Sequence, residues 1–314
     1  MEETNRKFKV AVLGVGGVGG YFGGKLAAYH QNSNDVDIIF IARGANANAI
    51  KENGLKLITG EGETIVHPAL VSDNASEIGQ VDLLICCTKS YSLEESLQKY
   101  KSCIHYDTII LPLLNGVDSR ERIIQIIPNA NVLEGCVYVV SRLTKPGVIT
   151  KTGNINALYF GSTHSERSQL ETIEKILKVD GINAQLDDNI EQTVWEKFFF
   201  ISTMATITSY ANKTIGAVLA DEENKQVVIK LLNELKQVTD TKGIRLPDNI
   251  VDLTFSKMQS FPYEATSSMH SDFQNGNKTE LDSLTGYVVM LSQQVNVPTP
   301  VYKSVYEELK KKSR

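Results

Sequence analysis

Two patterns of apolar and polar positions divide the chain. In the first half, short runs of apolar and β-branched residues alternate with stretches of helical periodicity. Phe8–Leu13 reads as a strand, followed by glycines and a helix over 18–29. Further strands are predicted at 37–42, 81–87, 108–113, 131–139 and 157–160, with a turn at 144–147 and a hairpin opening at 148–151. Strand–helix alternation of this kind predicts a parallel sheet covered on both faces. From about residue 189 the strand signal disappears. Helical periodicity predicts helices over 194–209, 217–242, 249–259, 278–295 and 300–312. Gly243 ends the second of these, and Pro247 and Pro262 mark the next boundaries. A domain boundary near Asp187-Asp188 gives an α/β Rossmann-type domain at 1–188 and an all-α domain at 189–314.

Composition narrows the function classes. Hydrophobic residues make up 42% and charged residues 22% of the 314, ordinary values for a globular protein. The net charge of -5 argues against nucleic-acid and membrane-surface partners, which call for a basic face. No apolar run reaches membrane-spanning length. The apolar run after Lys7 is about six residues, short for a signal peptide. The expected location is the cytoplasm. Cys86, Cys87, Cys103 and Cys136 match no zinc spacing and no disulfide framework, so no metal is expected. Cys86 and Cys87 read as buried strand residues.

The segment Gly14-Val15-Gly16-Gly17-Val18-Gly19 follows the first strand directly and opens a helix. In that context the first glycine permits a tight turn. Gly16 lets a pyrophosphate approach the backbone, and Gly19 allows close helix–strand packing. The helix N-terminus offers free N–H groups to the phosphates. A dinucleotide is therefore the expected cofactor. Arg43 ends the second strand, where an NAD-binding domain carries an acid for the ribose hydroxyl. Arginine there suits a 2′-phosphate and points to NADP(H). Lys89 and Asn115 follow later strands at the same sheet edge, where ligands bind, although each is equally compatible with an ordinary loop.

In the second half, Lys197 opens a helical stretch that is apolar nearly all round. Burial would desolvate its ammonium and make it a usable proton donor near neutral pH. The alternative is that Glu196 and Lys197 form the solvated stripe of a helix. Glu280 stands at the start of another helix, which Asn277 or Thr279 would cap. A carboxylate there is commonly a favourable dipole contact.

Taken in order, the glycine loop, Arg43, Thr88-Lys89, Asn115-Gly116, Trp195-Glu196-Lys197, Ser267-Ser268-Met269 and the segment from Gly276 to Asp282 resemble the ketopantoate reductase (2-dehydropantoate 2-reductase) family. The resemblance spans nearly the whole chain. It implies a Rossmann domain followed by helices like those of 6-phosphogluconate dehydrogenase, and a monomer or homodimer. It implies NADPH-dependent reduction of ketopantoate to pantoate, a step of pantothenate and coenzyme A biosynthesis. Lys197 would donate the proton to the ketone oxygen, and Glu280 would organise that lysine and contact the cofactor. Lys89 and Asn115 would lie beside the nicotinamide and its ribose, Ser141 would bind cofactor, and Ser268 would bind substrate together with Lys197 and Asn115.

Three positions depart from the family pattern. Ile201, Ala205 and Ile215 stand where the family usually has asparagines that line the substrate pocket. Ser202, Thr206, Thr208 or Ser209 are the available replacements. The departures open a second reading, a related NADP-dependent reductase of a different 2-oxo acid. A catalytically silent NADP(H)-binding sensor is a third, which the retention of both Lys197 and Glu280 disfavours.

Overall fold

The computed structural model describes residues 6–312. Its strands are β1 (Phe8–Leu13), β2 (Val36–Ile41), β3 (Leu55–Thr59), β4 (Gly62–Val66), β5 (Leu70–Ser72), β6 (Val81–Cys86), β7 (Ile104–Pro112), β8 (Asn131–Val132), β9 (Glu134–Lys145), β10 (Val148–Gly161) and β11 (Asn183–Leu186). Six of them form a parallel sheet in the order β5-β2-β1-β6-β7-β8. Val10, Val12, Phe40 and Leu83 point into one core, and Ala11, Leu13, Ile39 and Leu84 into another. Both faces are buried, which is why these strands read as continuous apolar runs.

A second sheet, ordered β11-β10-β3-β4, was not expected from the sequence. Its spine is β10, paired antiparallel with β9 along most of its length. Helix Gly17–His30 lies between the two sheets and meets each across glycine. Gly23 faces Val12 and Phe40 of the parallel sheet, while Gly20 and Gly24 face Ile149 and Leu57 of the second.

The chain divides into two units, Met1–Leu114 with Asp118–Ile190 and Asn115–Val117 with Glu191–Arg314. Among the described residues the second unit is helical throughout. Its core includes Trp195, Phe198, Phe199, Leu231, Leu235, Val288 and Tyr302. The buried Tyr302 hydroxyl pairs with Ser202 Oγ at 3.2 Å and Thr203 Oγ1 at 3.3 Å. Glu234 accepts from the main-chain N–H groups of Val301 and Tyr302, at 2.8 and 2.9 Å, and so caps helix Pro300–Lys312.

Several expected boundaries change. The strand over 131–139 is interrupted at Leu133, and the strand over 157–160 is the end of the longer β10. The helix over 217–242 is two, Ile215–Ala220 and Glu222–Lys242, because the Asp221 carboxylate accepts from Glu223 N and Asn224 N and starts a new helix. The helix over 278–295 begins at Leu281 with a wide π-helical turn, Asp282–Gly286, and continues as Tyr287–Gln294. Asn277 does not cap it; its amide donates to Asp272 Oδ1 at 3.4 Å.

No helix among the described residues is long and apolar enough to cross a membrane, and no cluster of three or more His, Cys, Asp or Glu among them could hold a metal ion. Cys86, Cys103 and Cys136 are buried thiols. Burial pushes the Cys86 thiol up to about 12.

Candidate functional site

In the first unit the site elements gather around the glycine loop. Gly14 has φ +95, a conformation that disfavours any side chain. A Cβ on Gly17 would lie 2.3 Å from the Ser141 carbonyl oxygen, and one on Gly19 would lie 2.1 Å from that of Gly14. These glycines are required by the protein's own packing. Gly16 differs. Its φ of -90 suits any residue, and a Cβ there would meet no atom within 4 Å. It caps helix Gly17–His30 without any side-chain hydrogen bond, so open ground lies beside the helix's first N–H groups.

Two hydroxyls near this loop are unpaired. Thr88 Oγ1 and Ser141 Oγ are buried and lack a hydrogen-bond partner. Thr88 N lies 3.0 Å from where a Gly14 Cβ would stand, and the Ser141 main chain touches Gly17. Buried polar atoms without partners are uncommon and call for an occupant. Open space at Gly16, exposed helix N–H groups and two unpaired hydroxyls fit an anionic ligand with several acceptor oxygens, such as a diphosphate.

Asn46, which sequence reasoning missed, holds the loop in place. Its Nδ2 donates to Val15 O at 2.9 Å, and its Oδ1 accepts from Gly147 N at 2.8 Å. One side chain thus joins the glycine loop to the β9–β10 turn. Arg43 lies just past β2 and is exposed, with no side-chain bond to the helix Gly44–Asn53 that it precedes. Lys89 is exposed just past β6.

In the second unit, helix Ile190–Ala211 carries Lys197, which is 6% exposed. Lys197 Nζ donates to Asn115 Oδ1 at 3.2 Å. Glu280 is 5% exposed and sits immediately before the helix that opens at Leu281. Its carbonyl accepts from Leu284 N at 3.1 Å and Ser283 Oγ at 3.2 Å. π-Helical turns inside α-helices are frequent at functional sites. Ser268 is exposed in the first turn of helix Ser268–Gln274, capped by Ser267 Oγ.

Past Lys197 the same helix buries a row of hydroxyls, most of them committed to the protein. Ser202 Oγ donates to Leu284 O at 3.1 Å, and Thr206 Oγ1 pairs with Thr285 Oγ1 at 2.7 Å. Thr208 Oγ1 donates to Met204 O at 2.7 Å and pairs with Ser267 Oγ at 2.9 Å. Ser209 Oγ is buried without a partner. Ala205 and Ile215 are core residues, and Ile201 packs half-buried against that core.

The model of the ketopantoate reductase PanE/ApbA family matches residues 10–165, and that of its C-terminal domain matches residues 189–313. An uncharacterized oxidoreductase of Bacillus subtilis, YkpB, is 32% identical over 304 residues, covering 96% of this chain and 97% of that protein. A 2-dehydropantoate 2-reductase of Streptococcus pyogenes is 29% identical over 306 residues, 95% of each chain. The crystal structure of 2-dehydropantoate 2-reductase from Porphyromonas gingivalis superposes with a TM-score of 0.84 at 33% identity, covering 97% of this chain and 99% of that one. The ternary structure of D-mandelate dehydrogenase with NADH and anilino(oxo)acetate superposes with a TM-score of 0.85 at 26% identity over 98% of each chain. The resemblance read from the motifs and the Rossmann-plus-helical fold class both hold, and the chain belongs to the ketopantoate reductase PanE/ApbA family of oxidoreductases.

Proposed function

We propose that the chain reduces ketopantoate to pantoate with NADPH. The observation that carries this reading is the buried Lys197 ammonium, oriented by Asn115 Oδ1 at 3.2 Å. A lysine held in one geometry out of water suits proton donation to a carbonyl oxygen as negative charge develops there. The cofactor, when bound, supplies the hydride to the carbonyl carbon. Lys197 gives its proton to the oxygen, and Asn115 and Glu280 fix the lysine. Ser268 binds the acid. Gly14 to Gly19, Thr88 and Ser141 receive the diphosphate, Lys89 and Asn115 lie beside the nicotinamide ribose, and Arg43 receives the 2′-phosphate. Gly16 and the two unpaired hydroxyls support the first of these cofactor assignments, and the exposed Arg43 at the end of β2 supports the last.

A second reading rests on a specific observation. Ile201, Ala205 and Ile215 are apolar, and Ser202, Thr206 and Thr208 already have partners within the protein. Of the candidate hydroxyls only Ser209 Oγ lacks a partner, and a pocket this poor in free donors favours an apolar side chain over a substrate hydroxyl. The family resemblance to a D-mandelate dehydrogenase is consistent with such a substrate.

Purified protein with NADPH is offered ketopantoate, 2-oxoisovalerate and phenylglyoxylate in turn. Rapid loss of reduced-nicotinamide absorbance with ketopantoate, abolished in Lys197→Ala, is the expected result. Turnover confined to the two apolar acids selects the second reading, and NADPH binding without turnover of any of them rejects both.

A further inference from the structure

His270 is 3% exposed, a titratable ring in the core of the helical unit that the proposed chemistry does not use. Both of its ring nitrogens are engaged. Nε2 lies 2.9 Å from Asn212 Oδ1, and Nδ1 pairs with Thr266 Oγ1. Because the amide oxygen only accepts, Nε2 carries the proton and Nδ1 accepts from the threonine hydroxyl. Burial holds the imidazole's pKa below its usual value, consistent with this neutral form.

The partners define what the ring connects. Asn212 is the residue after helix Ile190–Ala211, with φ +51, so it forms the left-handed end of the helix that carries Lys197. Thr266 and Ser267 form the turn before Ser268. A second bond parallels the first, as Thr208 Oγ1 on the Lys197 helix pairs with Ser267 Oγ at 2.9 Å. Ser267 Oγ also accepts from His270 N at 3.1 Å. Ser268 therefore sits in a turn pinned on both sides to the end of the Lys197 helix. An apolar side chain could fill the imidazole's volume, but it would leave the Asn212 and Thr266 side chains without this partner.

We propose that His270 is a positioning residue for substrate: its imidazole sets the register between the turn bearing Ser268 and the helix bearing Lys197. This rests on the reading that Ser268 binds the 2-oxo acid and Lys197 protonates it. An error in that register weakens substrate binding and leaves the cofactor's own contacts untouched.

The test uses the full-length protein with NADPH and whichever of the three 2-oxo acids wild type turns over best. His270→Leu is expected to raise KM about tenfold or more with kcat within about threefold. The NADPH Kd should stay within about twofold of wild type. His270→Gln, whose amide offers both a donor and an acceptor, is expected to recover most of the KM. An unchanged KM in folded His270→Leu overturns the proposal, as does a parallel rise in KM and NADPH Kd. Should His270→Leu fail to fold, Asn212→Gly keeps the left-handed backbone while removing the acceptor, and it must show the same split. Ser268→Ala separates the two levels. If it raises KM while the His270 and Asn212 variants do not, only the positioning role falls. If it leaves KM unchanged, the substrate role of Ser268 falls and the positioning role with it.

Discussion

Lys197 Nζ and Asn115 Oδ1 meet at 3.2 Å across 82 positions of sequence. The contact lies within one structural unit, because Asn115–Val117 belong with the helices although the residues on either side belong with the sheets. The lysine's orientation thus depends on a short excursion of the sheet-forming chain. Lys197→Ala is expected to lower kcat by about 10²- to 10⁴-fold, the range of a lost general acid, with NADPH affinity retained. Asn115→Ala leaves the ammonium present but removes one of the groups that orient it, and kcat should fall by about 10- to 100-fold. Stopped-flow single turnovers check both. Equal losses in the two variants would mean that Asn115 does more than orient the lysine.

Neighbouring glycines should behave oppositely. Gly17→Ala drives a methyl into the Ser141 carbonyl, 2.3 Å away, and overpacking of this kind costs about 1–3 kcal/mol. Gly16→Ala meets no protein atom within 4 Å and has an ordinary φ, so it should cost no more than the roughly 0.5–1 kcal/mol of exchanging glycine for alanine at a helix cap. If a diphosphate occupies that space, Gly16→Ala nevertheless weakens dinucleotide binding by about tenfold or more. Chemical denaturation and titration of the same two proteins decide the matter.

Arg43→Ala is expected to weaken NADPH binding by about one to two orders of magnitude and leave NADH binding nearly unchanged. Arg43 is exposed, so its loss should leave the melting temperature within about a degree or two. Equal losses for the two cofactors would remove the 2′-phosphate role.

Tyr302 provides a pH signature. Burial pushes its hydroxyl from the ordinary 10.0 up to about 12, despite bonds to Ser202 and Thr203 that act in the opposite direction. The raised value means that the folded state favours the neutral phenol. The associated stability, about 3 kcal/mol at most, is fully present below pH 10 and lost as pH rises towards about 12. Tyr302→Phe gives up the two hydrogen bonds and should cost about 1–2 kcal/mol at neutral pH. The gap between the two proteins should then narrow over that alkaline window. Urea unfolding of both proteins across the window measures it, and the comparison cancels the parallel contribution of Cys86, raised to about 12 by burial. A constant gap would show that the phenol titrates normally.

Legibility in the sequence followed burial. Strands such as Val10–Leu13 and Leu83–Cys86 are apolar on both faces, and their runs marked the parallel sheet without ambiguity. The second sheet escaped because β4 is exposed at Gly62 to Ile65 and β3 mixes Lys56 and Thr59 with its apolar residues, leaving no continuous run. The apolar stretch around Lys197 implied a buried lysine, and Lys197 is 6% exposed. The partners were not legible. Asn115 with Lys197, Asn46 with Gly147 and Asn212 with His270 are each side-chain bonds between distant segments, and a single sequence carries no distances. Nor could hydrophobic pattern show that Ser202, Thr206 and Thr208 were already engaged, because a buried hydroxyl looks the same in sequence whether or not it has a partner.

The wide turn at Asp282–Gly286 takes up one extra residue within one helix. Each residue of an α-helix advances about 100° around its axis. The buried face of Tyr287–Gln294 anchors the far end against the core. A chain one residue shorter in this turn would close it as ordinary α-helix and keep that anchor. Because the π turn spreads one extra residue over nearly the same rotation, Glu280, on the near side, would keep close to its present aim. The turn thus holds one residue more than the phase between Glu280 and Tyr287–Gln294 requires, so a single-residue deletion is tolerated there that would misalign the two ends anywhere else in the helix.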